Sequence, residues 1–252
     1  MSQDCASIRT WNGITSFRPT KSKAAIFCGP SISQNEAREL LPNAEIFSPI
    51  KRGDLLPIIE RGFNVIGIID GTYINQPTVG ATEIINALER GAAIYGAASL
   101  GAIRAVELES YGMIGIGTIY AWYKQQITYR DDEVVVPMHP DDYTALADPL
   151  INLRYICNRA LESGFISVQL ADRLLKKYSE IEFQHRKYPR LFNLIRTETL
   201  SDKERCELES LELFIQKESP GLNLKYLDAV QLINHIKQSH WLDKGPNDLS
   251  AE

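Results

Sequence analysis

The chain has 252 residues, 44% hydrophobic and 23% charged, enough for one large or two small globular domains with a buried core. Its net charge of −5 argues against a broad non-specific nucleic-acid surface while leaving room for a local basic patch. No apolar run approaches the roughly 20 residues of a membrane helix, and the polar stretch Met1 to Ser22 has no signal-peptide core. A cytoplasmic protein with reduced thiols is the expectation.

Up to Pro149, short β-rich runs alternate with helical stretches. Lys23 to Cys28 reads as a buried strand ended by Gly29-Pro30, and Ser33-x-x-Glu36 as a capping box opening a helix through Leu41. Ala44 to Ser48 is a second strand, and Asp54 caps a helix over Leu55 to Arg61. Asn64 to Asp70 is apolar throughout, a strand covered on both faces. A helix over Val79 to Arg90, a strand over Gly91 to Gly96 and a helix over Leu100 to Ser110 follow, with a last strand at Glu133 to Met138. Such alternation predicts an α/β fold: a mostly parallel, Rossmann-like sheet with helices on both faces. Beyond Pro149 the apolar spacing is helical over Leu150 to Glu162, Ser167 to Ile181 and Leu222 to Lys237, and Ser201-x-x-Glu204 opens a further helix through Ile215. The expected division is an N-terminal extension (1–22), an α/β core (23–150), an all-helical C-terminal region (151–244) and a frayed tail (245–252).

Cys5, Cys28, Cys157 and Cys206 show neither metal-ligand spacing nor a disulfide framework, and no histidine falls in an H-E-x-x-H pattern. No metal site and no cofactor are predicted. Neither the dinucleotide fingerprint nor the phosphate-binding loop is present, which argues against a nucleotide enzyme on this sheet.

Parallel sheets bind ligands beyond the carboxyl ends of their strands. Three small polar turns fall there: Gly29-Pro30-Ser31, Asp70-Gly71-Thr72 and Ala97-Ala98-Ser99-Leu100-Gly101. The third resembles a nucleophile elbow, A-x-S-x-G, whose small neighbours Ala97, Ala98 and Gly101 would let the backbone present Ser99. Ser99 is read either as a nucleophile or as a helix cap. Asp70 either serves the site or closes an Asx-turn with Gly71. Arg104 either clamps an anion or pairs with Glu107 at i+3. Asp131-Asp132-Glu133 reads as a solvated turn, with Mg²⁺ binding as the weaker alternative. His139 is the sole histidine of the α/β half, either a general base or a structural residue. Cys28 reads as core.

Taken together these stretches resemble the TfuA-like proteins, a family named from peptide-toxin biosynthesis. The matching residues are Phe27-Cys28-Gly29-Pro30-Ser31, Glu36-Ala37-Arg38, Gly53-Asp54-Leu55, Gly67 to Gly71, Glu83-Ile84, Tyr95 to Ala105 with Glu107-Leu108, Tyr111 to Gly115, Asp131 to Val134 and His139-Pro140. They run from about Ala24 to Asn152. Ala81-Thr82 stands where many relatives carry a His-Lys pair, and the glycine between His and Pro is missing after His139. The resemblance implies a role in peptide-backbone thioamidation beside a YcaO-type enzyme, with a ubiquitin-like sulfur carrier protein and the precursor peptide as further partners. In an acyl-transfer version, Ser99 attacks the carrier thiocarboxylate, His139 is the base, Asp70 orients it, and amides from Ser99 to Gly101 hold the oxyanion. Gly29, Ser31, Asp54, Gly101 and Arg104 then bind substrate. The competing reading is a non-catalytic partner that changes how the YcaO enzyme uses its sulfur donor.

Overall fold

The structure is a computed structural model that describes residues 22–73, 77–219 and 221–239. Cys5, Pro220, His240, the segment 1–21 and the tail therefore lie outside the described residues.

Five parallel strands form one sheet in the order β2-β1-β3-β4-β5: β1 (Ala24–Phe27), β2 (Glu45–Phe47), β3 (Val65–Ile68), β4 (Ala93–Gly96) and β5 (Ile114–Gly115). The central strands β1 and β3 are buried at every position, as their unbroken apolar runs require. Alternate residues sort to opposite faces. Ala25, Phe27, Ile66, Ile68 and Ile94 join the core under α2 (Leu55–Glu60), α3 (Ala81–Glu89) and α4 (Leu100–Leu108). Ala24, Ile26, Val65 and Tyr95 face the other way, under α1 (Gln34–Leu40).

The second face is completed from far along the chain. After α5 (Gly117–Lys124), the helices α6 (Leu150–Glu162), α7 (Val168–Ser179), α8 (Tyr188–Arg196) and α9 (Asp202–Glu218) build an apolar cluster of their own. The last helix, α10 (Leu224–Gln238), returns to the sheet and lays Ala229, Leu232, Ile233 and Ile236 against β1, β3 and β4. Gly67 permits this approach, since a Cβ there would fall 2.7 Å from Ile26 and 2.9 Å from Leu232.

Local signals account for the helix starts. Ser201 and Glu204 form the reciprocal capping box at α9. Ser33 caps α1 on the Glu36 amide, but the Glu36 carboxylate accepts instead from the Tyr226 hydroxyl of α10, 2.5 Å away. Asp54 departs from expectation. Its side chain accepts from the Lys51 N–H at 3.0 Å rather than capping α2, and the Gly53 and Leu55 amides are held by Glu83 of α3.

The run Glu133 to Met138 is not a strand. Asp131–Glu133 forms a 3₁₀ turn, Val134 keeps helical angles, and only Met138 makes a bridge, to Ala145. Three buried valines mimic a buried strand, but for Val134 and Val135 the cover is supplied by α4, α5, α6 and α10. The place beside β4 is taken by β5, a two-residue strand too short to show in the sequence pattern. We call residues 131–140 the strap.

Candidate functional site

The order 2-1-3-4-5 reverses direction between β1 and β3, the position where a doubly wound sheet opens a crevice. A pocket of about 400 Å³ lies there, under the strap. Asp70, Ser99 and His139 all line it, as does Lys225 of α10.

Asp70 ends β3 and is buried. One carboxylate oxygen accepts from the Gly29 N–H (2.9 Å) and the Ser31 N–H (3.0 Å), and the other from the Ser31 hydroxyl (2.6 Å). Gly29 and Ser31 are thus the partners that tie the β1 turn to the β3 turn. Gly29 is required by packing, because a Cβ would meet Pro49 at 2.6 Å. The ammonium of Lys225 stands 3.9 Å from the second oxygen. Asp70 is therefore engaged by the β1 turn and Lys225, while His139 turns elsewhere: its Nδ1 accepts from the Asp141 N–H at 3.4 Å and lies 3.6 Å from the Asp142 carboxylate. His139 is half-exposed on the pocket wall.

The Ser99 turn is built by close backbone approach. A Cβ on Gly101 would fall 1.8 Å from the Ile68 carbonyl oxygen, and one on Gly96 would fall 2.1 Å from the Gly101 carbonyl oxygen. Ala98 adopts φ +64°, a left-handed conformation unfavourable for a residue with a Cβ. Ser99 occupies the N-cap position of α4, yet its hydroxyl makes no capping bond and donates, at 3.4 Å, to the Val134 carbonyl of the strap. Of the three amides expected to hold an oxyanion, Ser99 N–H donates to Ala97 and Gly101 N–H to Ile69. Leu100, which lines the pocket, is the one whose N–H has no such bond among the described residues. In a nucleophile elbow the residue after the nucleophile supplies that donor.

Arg104 is not a clamp in this pocket. Its guanidinium bonds the Val79 carbonyl (3.2 Å) and pairs with Glu107, the i+3 alternative. Asp54 is likewise absent from the pocket lining.

The acidic cluster holds the strap. Glu133 is buried in a bidentate pair with Arg154 of α6 (2.7 and 3.1 Å). Asp132 pairs with Arg130 and, at 2.6 Å, with the buried Arg186, whose guanidinium also bonds the Asp132, Tyr178 and Ile181 carbonyls. These pairs hold the Asp132 carboxyl below its ordinary value against the opposing effect of burial. Neither carboxylate is free for a cation, and no cluster of metal-ligating side chains occurs among the described residues. Cys28 lies in the core, its thiol pushed up to about 12 by burial and by Asp70.

Lys225 is the residue the sequence did not reveal. It is almost completely buried, and its Nζ donates to the same Val134 carbonyl that Ser99 contacts, at 2.8 Å. Burial holds the ammonium below its ordinary value, with Asp70 opposing. Asn152 of α6 fixes the start of α10: it accepts from the Lys225 N–H and donates to Asn223, which caps the helix at Tyr226. The one sequence clue is that Lys225 follows Leu224 on the buried side of an amphipathic pattern.

Residues 70–187 match the family model described as TfuA-like protein. The match begins at Asp70 rather than near Ala24, and it runs on through α6 and α7 into the helical half. It covers Ser99, His139 and the strap, and it stops before Lys225. No curated protein matches the chain. Among the described residues no helix is long and apolar enough to cross a membrane.

Proposed function

The chain belongs to the TfuA-like family, and on that footing we propose that it supplies sulfur to a YcaO-type enzyme by hydrolysing the thiocarboxylate of a carrier protein. Membership associates it with YcaO-type thioamidation of peptide backbones; the hydrolytic step and the carrier are our reading. The observation that carries it is the state of Ser99. Its hydroxyl is not used as a helix cap, and it sits on a strained, glycine-supported turn in the wall of a pocket at the strand ends. Strain of this kind is characteristic of turns that present a nucleophile.

In this reading the carrier's C-terminal tail enters beneath the strap, between Leu100, Pro137 and Tyr143. The Ser99 hydroxyl adds to the thiocarboxylate carbon and hydrosulfide leaves. Water then hydrolyses the resulting ester and restores the serine. The Leu100 N–H is the donor for the oxyanion formed at each step. Asp70 acts on the scaffold, fixing the β1 and β3 turns that frame the pocket.

The test is sulfide release from a purified thiocarboxylated ubiquitin-like carrier. Ser99→Ala is expected to lower it by at least about 100-fold. Because Ser99 makes no capping bond, the same variant should lose less than about 1 kcal/mol of stability. Release by Ser99→Ala at the wild-type rate would overturn the assignment. Release that requires the YcaO enzyme would favour the activator reading instead.

A further inference from the structure

We infer that a second cavity behind the strap is an exchange passage for the Ser99 site, admitting water and releasing sulfide while the carrier tail fills the first pocket. This rests on the reading of Ser99 as nucleophile, and it gives that site a second opening.

Stoichiometry sets the need. A thiocarboxylate anion and one water give a carboxylate and one hydrogen sulfide, so each turnover brings in one small molecule and lets one out. Between the two halves of the reaction an ester bond holds the tail to Ser99 Oγ. The tail then occupies the entrance between Leu100, Pro137 and Tyr143, so exchange by that route stalls.

Three observations place the passage. First, a cavity of about 230 Å³ lies between the strap and helices α6, α8 and α9. Pro30, Val136 and Lys225 line it and also line the pocket that holds Ser99, so one layer of residues parts the two. Val136 stands two residues after Val134, whose carbonyl accepts from the Ser99 hydroxyl. Second, size selects the cargo. Sites for drug-sized ligands run from about 300 to 1,000 Å³, whereas one water needs only about 15 Å³. This cavity falls below the first range and has room for several water-sized molecules. Third, the wall and the outer end suit such cargo. Tyr188 lines the cavity so deep in the protein that burial pushes its phenol well above the ordinary value. The neighbouring Tyr178 donates its hydroxyl to the Asp148 carbonyl, but the Tyr188 hydroxyl bonds no group among the described residues. Ordered water satisfies a buried hydroxyl in that state. The outer end reaches solvent at Ala145 and Ser219, which are exposed and do not line the first pocket.

The experiment plugs the passage. Ala145→Trp fills the outer end from an exposed position where folding is safe, and Ala147→Phe fills it from the buried wall. Sulfide release from the purified thiocarboxylated carrier is expected to fall about tenfold or more in each, because exchange becomes the slow step. Labelling of Ser99 by a biotinylated phosphonofluoridate, located by mass spectrometry, enters by the first pocket and should stay within about twofold of wild type. Leu146→Trp is the control. Leu146 is exposed beside Ala145 but lines neither cavity, so release and labelling should both match wild type. A structural disturbance of the strap would instead slow release and labelling together. Wild-type release in Ala145→Trp overturns the passage, even if Ala147→Phe fails to fold. So does a loss of labelling that equals the loss of release, or an equal loss of release in Leu146→Trp. The underlying reading fails separately: a wild-type protein whose Ser99 takes the label but frees no sulfide from the carrier retires the thiocarboxylate, and the passage with it.

Discussion

Replacing Gly101 with alanine will force β3 and α4 apart. The new methyl would lie 1.8 Å from the Ile68 carbonyl oxygen and 2.7 Å from its carbon, where real Cβ atoms keep at least 3.0 Å. Both atoms are backbone, so no rotamer change relieves the clash and the helix must retreat by more than an ångström. It cannot slide across β4, because Gly96 Cα is already 3.3 Å from the same point. Overpacking that side chains can absorb costs about 1–3 kcal/mol. Here main chain must move, so about 3 kcal/mol is expected, which for a chain of this size lowers Tm by roughly 6–12 °C. The same retreat carries Ser99 with it, and a misplacement of about 1 Å costs on the order of 100-fold in rate. Thermal melts by circular dichroism and phosphonofluoridate labelling of Ser99 measure the two effects on one sample. Gly80→Ala is the control: nothing lies within 4 Å of its Cβ position and its φ is −85°, so its melting should stay within about 2 °C of wild type. A Gly101→Ala protein that melts and labels like wild type would refute the close strand–helix crossing on which the turn is built.

Asp70→Ala removes the acceptor of three hydrogen bonds and leaves Lys225 without its carboxylate, so denaturant melts should show a loss of about 3–5 kcal/mol; an unchanged midpoint would remove Asp70 from the scaffold. Asp228 is a buried carboxylate whose pKa is raised to about 6 by burial, against the Ile119 and Thr118 amides that bond its charged form. The folded state therefore holds a proton that the unfolded chain releases near the ordinary value of 3.8. Stability falls as pH rises from about 4 to about 6, by up to about 3 kcal/mol, and is flat above that. Asp228→Asn should cancel this, so the stability of the variant relative to wild type must rise across that window; a constant difference would show that Asp228 titrates normally.

The strands and most helices were legible in the residues, because burial on two faces and helical spacing write directly onto the chain: β1, β3, β4 and α6 lie where their apolar patterns put them. The rim was legible in part: strand-end turns in a parallel sheet share one edge, and Asp70 and Ser99 line one pocket, whose lining includes neither Ser31 nor Arg104. Pattern failed where burial came from an unexpected source. Val134 and Val135 of the strap are covered by helices rather than by a sheet, and alternation cannot distinguish these. Side-chain direction was also beyond reach: Arg104, within α4, and Asp54, just before α2, point to Glu107 and Lys51. Lys225 is separated from Ser99 by 126 positions and meets it only because α10 returns to cover the open face of the sheet. Local chemistry determined which residues could form a reactive turn; the long-range packing of one helix decided which charged group stands beside it.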